Sequence, residues 1–92
     1  MYYLLFYELV DDYLERRGAF REEHLQLARD ANERGELVLA GAYADPTDAA
    51  ALVFRADDDS VVRVFAARDP YVREGLVERW TVRRWNVVIG DR

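Results

Sequence analysis

Apolar and polar positions along the chain alternate between a strand period and a helix period. Residues 2 to 8 (Tyr2-Tyr3-Leu4-Leu5-Phe6-Tyr7-Glu8) carry aromatic and aliphatic side chains on both alternating faces. That is the pattern of a strand covered on both sides. From Tyr13 to Arg34 the spacing lengthens to that of a helix, with Gly18 a point of interruption and Gly35 a C-terminal stop. Asp11 and Asp12 stand just before it, where short acids cap free N–H groups and suit the positive end of the dipole. Phe20, His24, Leu27, Ala28 and Ala31 recur at helical spacing and form one stripe, while Glu22, Glu23 and Arg29 point elsewhere. His24 therefore belongs to the packed face, with Arg21 and Arg17 one and two turns before it near the same edge.

The second half repeats the scheme. Leu37 to Ala42 reads as a second strand, Asp45-Pro46-Thr47-Asp48 as a turn, and Ala49 to Phe54 as a third strand. Asp57-Asp58-Asp59-Ser60 caps a short helix that runs through Ala67 and is closed by Asp69-Pro70. Val77 to Ile89 reads as a long final strand whose alternation slips at Arg83-Arg84, as a bulge would make it do. The order β-α-β-β-α-β predicts a ferredoxin-like α+β sandwich, an antiparallel sheet with two helices on one face. Residues 2–7 and Trp80 or Trp85 supply more apolar surface than two helices cover. A homodimer with sheets packed face to face is the expected answer. No repeat or linker divides residues 1–92, so one domain is expected.

Composition narrows the function classes. At 92 residues the chain buries roughly 60% of its unfolded surface, which makes pairing with a second copy more attractive. An apolar content of 51% is that of a chain with a true core. The net charge of −5 opposes nucleic acid, because phosphate binders cluster cations and this surface repels phosphate overall. No apolar run approaches the ~20 residues that span a bilayer, so no membrane insertion is expected. The opening residues lack the basic and small-residue features of a signal peptide, and a cytoplasmic location follows as the default. Cysteine is absent, which removes disulfides and zinc–sulfur sites. There is no glycine-rich phosphate loop or paired-histidine spacing, and no cofactor is expected.

The candidate chemistry centres on His24, the single histidine and the side chain whose unperturbed pKa suits proton transfer near neutrality. By position it is either such a group or a half-buried histidine bonded to a carbonyl. Asp69 is either turn chemistry beside Pro70 or the carboxylate that orients the imidazole. Arg21 either holds an anionic ligand by bidentate hydrogen bonds or pairs on the surface near Glu22 or Glu15. Asp57-Asp58-Asp59 lacks the spaced further ligands of a calcium loop and reads as a solvated cap. Tyr2, Tyr3, Phe6 and Tyr7 read as core ahead of a flat-ligand pocket.

Several short matches fall in order along the chain: Met1-Tyr2-Tyr3, Leu14-Glu15-Arg16-Arg17, Arg21-x-x-His24-Leu25, Gly35-Glu36-Leu37, Ala40-Gly41, Asp69-Pro70-Tyr71-Val72 and Gly75-Leu76. Together they resemble the YciI-like (YCII-related domain) proteins. The resemblance implies a dimeric α/β barrel with His24 and Asp69 as a catalytic dyad in a cleft beside the sheet. Most members of the family have no assigned reaction; the function expected from these residues is a cofactor-free lyase, isomerase or dehydrochlorinase-type reaction on a small cyclic or aromatic acid, with Arg21 as the expected substrate-binding residue. The alternative is a non-catalytic dimer, binding a small molecule or regulating through the same cleft. The chain departs from the family pattern at Ala42, at Ala49-Ala50-Ala51 and at Ser60-Val61-Val62-Arg63. These positions are expected to lie in loops that shape the pocket.

Overall fold

Residues 1–90 are described by the structure, a computed structural model, so the last two residues of the expected domain 1–92 lie outside the described residues. The elements are β1 (Tyr2–Leu9), α1 (Tyr13–Arg16), α2 (Arg21–Glu33), β2 (Leu37–Ala42), β3 (Ala49–Arg55), α3 (Ser60–Arg68), α4 (Pro70–Arg73) and β4 (Val77–Trp85). The strands form one antiparallel sheet in the order β2-β3-β1-β4, with the helices on one face. This is the ferredoxin-like α+β arrangement the sequence predicts.

Burial alternates strictly along β1. Tyr3, Leu5, Tyr7 and Leu9 are buried beneath the helices, while Tyr2, Leu4, Phe6 and Glu8 look out from the opposite face half-exposed. Leu52 and Phe54 of β3 lie beside Leu5 and Tyr3, and Val62, Phe65 and Leu76 close the core from above. Phe54 and Phe65 meet edge to face at 5.1 Å, a preferred geometry for aromatic pairs. On the open face Leu4, Phe6 and Val53 stand together, flanked by Leu39 at 70% exposure and by Trp85. Trp80 pairs with Tyr7 and so faces the helices, which leaves Trp85 as the tryptophan of the open face.

The helical region 13–34 is three pieces. Gly18 sits in a 3₁₀ turn, Arg17–Ala19, between α1 and α2. Asp12 precedes α1 but makes no side-chain cap, and Tyr13 anchors that end by burial. Gly35 does end α2: it adopts φ +81, and Gly35 and Glu36 donate their N–H groups back to Asn32 and Ala31. At the start of α3 the acidic run acts as a cap: Asp58 accepts from both the N–H and the hydroxyl of Ser60, at 2.9 and 2.6 Å. Those bonds hold its exposed carboxyl below the usual range.

The chain does not leave helical structure at Asp69-Pro70 but starts a new turn, α4, with Pro70 in its first turn and Asp69 as cap. The final strand ends at Trp85, short of the expected Ile89. Tyr2 pairs with Trp85, so residues 86–89 have no stretch of β1 left to pair with, and Val88 and Ile89 are each 88% exposed. The ladder irregularity falls between Glu8 and Leu9, opposite Val77–Arg79; Arg83 and Arg84 pair regularly with Leu4 and Tyr3. Alternation weakens at Arg83-Arg84 because β4 is an edge strand, where both faces tolerate charge. Among the described residues no helix is long and apolar enough to cross a membrane.

Candidate active site

Asp69 is the only charged residue buried among the described residues, at 0% exposure. An unpaired carboxylate there would be very costly, and the sequence surrounds it with donors. As N-cap of α4 it accepts the Tyr71 backbone N–H at 3.0 Å on Oδ1. The Tyr7 hydroxyl, on the buried face of β1, donates to Oδ2 at 2.8 Å. Nδ1 of His24 completes the set, 2.9 and 3.0 Å from the two oxygens. The stripe on α2 that placed His24 on the packed face thus delivers it to a carboxylate forty-five residues later. Asp69 binds Tyr7 and the Tyr71 amide purely as an acceptor, so the imidazole nitrogen facing it is the donor. That leaves Nε2 with its lone pair free and with no partner among the described residues. The bond is the histidine–carboxylate arrangement that fixes a tautomer and steadies the protonated ring.

The imidazole lies flat on the Tyr71 ring, with centroids 4.0 Å apart and planes 12° from parallel. Tyr71 in turn meets Tyr13 edge to face at 5.5 Å, and the Arg17 guanidinium sits 5.6 Å over the Tyr13 ring. Burial, with Asp69 beside it, pushes the Tyr7 hydroxyl far above the ordinary range of a phenol. Burial also pushes Tyr71 up to about 12, with the Tyr13 hydroxyl adding and the Arg21 guanidinium opposing. Both phenols therefore remain protonated near neutrality.

With 16% of its side chain exposed, His24 opens onto a cleft of about 940 Å³ between α2 and the β2–β3 edge of the sheet. The cleft exists because the helix-facing positions there are small. Ala40, Ala42 and Ala50 line it from the sheet and Ala28 from α2, where larger side chains would fill the gap. Two of the family departures, Ala42 and Ala50, are thus in strands and line the cleft, whereas Ser60–Arg63 opens α3 and does not. Arg21 lines the cleft too and makes no ion pair among the described residues; Glu22, one possible partner, pairs instead with Arg29 at 3.0 Å. Arg17 is likewise free of carboxylates. Glu33 also lines the cleft, nine residues along α2 from His24, so it is the end beside His24, with Arg17 and Arg21, that favours an anionic occupant. Among the described residues no group of three or more His, Cys, Asp or Glu could hold a metal ion, the Asp57–Asp59 run included.

Tyr7 and Tyr71 are the site residues that composition and spacing leave unassigned. Tyr7 has the buried parity of β1, which marks it as core without revealing its polar partner. Tyr71 is legible only as the neighbour of Asp69-Pro70.

The YCII-related domain family matches residues 1–86 of the chain. No curated protein sequence matches it. Among solved structures, the chain is similar to 5-chloro-2-hydroxyhydroquinone dehydrochlorinase (TftG) from Burkholderia phenoliruptrix AC1100, in complex with 2,5-dihydroxybenzoquinone. The TM-score is 0.79 at 19% identity, covering 94% of each chain. At that identity the likeness establishes the shared fold.

Proposed function

The chain belongs to the YCII-related domain family, and from that premise we propose that it is a small acid–base enzyme acting without a cofactor on a cyclic or aromatic acid. The observation that carries this reading is the His24–Asp69 bond at 2.9 Å, which turns the free Nε2 toward an open cleft with an unpaired Arg21. Nε2 takes a proton from a carbon or hydroxyl of the substrate, and the imidazolium so formed is stabilised by Asp69. In an isomerisation the proton returns to a different atom. In an elimination a leaving group such as chloride departs with its bonding electron pair, and the proton passes on to solvent. Arg21 holds a carboxylate or enolate oxygen through its planar fork. The similarity to a dehydrochlorinase makes a chlorinated hydroxyhydroquinone a sensible first probe, beside small carboxylic acids, lactones and quinols. Turnover of any of these, lost in His24→Ala, is the expected outcome. Ligands that raise the melting temperature and are never consumed would instead assign the cleft to binding or regulation.

The same reading includes a homodimer through the open sheet face. Leu4, Phe6 and Val53 form an apolar strip there that this chain's helices leave uncovered. Introducing Phe6→Asp and Leu4→Asp together should convert a dimer to a monomer in sedimentation velocity. A pair of aspartates that leaves the mass unchanged would exclude this face.

A further inference from the structure

The Tyr71 hydroxyl is the one buried side-chain polar atom among the described residues with no hydrogen-bond partner. Such a group sacrifices its bonds to water for nothing, a loss that phenylalanine at the same position would avoid. Its surroundings suggest what it is kept for. The ring stacks on His24, the backbone N–H of the same residue binds Asp69, and Tyr13 and Arg21 line the same cleft as Tyr71 and His24. Arg21 itself is exposed and unpaired at the cleft, one helical turn before His24.

We propose that Tyr71 is a positioning residue that couples the proton-transfer group to the anion-binding group: its ring pins the His24 imidazole, and its buried hydroxyl is the acceptor on which Arg21 seats when an aromatic carboxylate occupies the cleft. This rests on the acid–base reading above and assigns its anion subsite. The ring contact sets the plane of the imidazole, so the lone pair on Nε2 points to a fixed place. The hydroxyl oxygen accepts one guanidinium N–H, and the remaining edge of the fork is left for the ligand's two carboxylate oxygens. An arginine so anchored loses less freedom on binding than one waving in solvent. A ligand with a flat ring fits the cleft beside the apolar walls of Leu52 and Ala28.

His24 is the only histidine, so its ring signals report the site without assignment work. Benzoate, which carries the carboxylate and the flat ring and is not consumed, is titrated against those signals. Binding should weaken by roughly 3- to 10-fold in Tyr71→Phe, the loss of about one hydrogen bond. It should weaken at least as much in Arg21→Gln, and adding Tyr71→Phe to Arg21→Gln should cost nothing more. Equal losses from Tyr71→Phe in both backgrounds, or no binding of benzoate to the unmodified protein, would overturn the hydroxyl's role. For the ring, the unmodified protein and Tyr71→Phe should both show His24 ring protons shifted upfield with cross-relaxation to residue 71. Absence of that signature in the unmodified protein would overturn the stacking, whatever Tyr71→Leu does to folding. Neither readout depends on turnover, so failure of the catalytic reading would be seen separately.

Discussion

Asp69→Ala is expected to lower stability by about 3–5 kcal/mol, a large part of the ~5–15 kcal/mol available to a small domain. The substitution strands three donors at once: the Tyr7 hydroxyl, the Tyr71 amide and His24 Nδ1. The first two are buried and have nowhere else to turn. It also uncaps α4, the turn that carries Tyr71 under His24. Thermal and urea melts at one fixed protein concentration would read this as a fall in melting temperature of roughly 15–30 °C. Asp69→Asn should fall in between, since the amide keeps one accepting oxygen and turns an N–H group toward donors. A loss below about 1 kcal/mol for the alanine variant would mean that the buried carboxylate is not the hub of this network.

The complementary expectation concerns His24→Ala. Its side chain sits at the cleft wall, and its removal leaves Asp69 with two donors in place. Stability should drop by only about 1–2 kcal/mol. The rate of any proton transfer found for the protein should fall by roughly 10²–10⁴-fold, with free imidazole in the buffer restoring part of it through the vacated space. The contrast between the two substitutions is diagnostic. On the proposed mechanism one residue holds the site together, and the other performs the transfer.

The fold was legible because burial in a thin sandwich leaves strong periodic traces. The two-faced run at residues 2–8 marks a strand, and β1 lies between β3 and β4 with one face under the helices. The stripe Phe20-His24-Leu27-Ala28-Ala31 placed His24 on the packed face because helical spacing fixes direction. Where reading failed, the deciding contact was distant. Residues 86–89 look strand-like, but no strand is left beside them. The break at Gly18 is visible in the sequence, while the 3₁₀ form of the turn around it is not. For the site, residue spacing alone left His24 between two roles; the resemblance to a known family named Asp69 as its partner, and the geometry brings the two within hydrogen-bond distance. Tyr7 could not be picked out, because a tyrosine on a buried strand face looks like core until its hydroxyl's partner is known. Arg21 was open between a surface pair and a ligand contact, and the pairing of Glu22 with Arg29 removes the first of its possible partners.

The claim on which all of this turns is that Asp69 holds the His24 ring with Nδ1 protonated and Nε2 free toward the cleft. Nitrogen-15 spectra of the imidazole, taken where the ring is neutral, read the tautomer directly. The expected result is a single set of signals with the proton on Nδ1, changing toward the Nε2–H form common in unconstrained histidines when Asp69 is replaced by asparagine. A neutral ring protonated on Nε2 in the unmodified protein, or one exchanging freely between both forms, would contradict it.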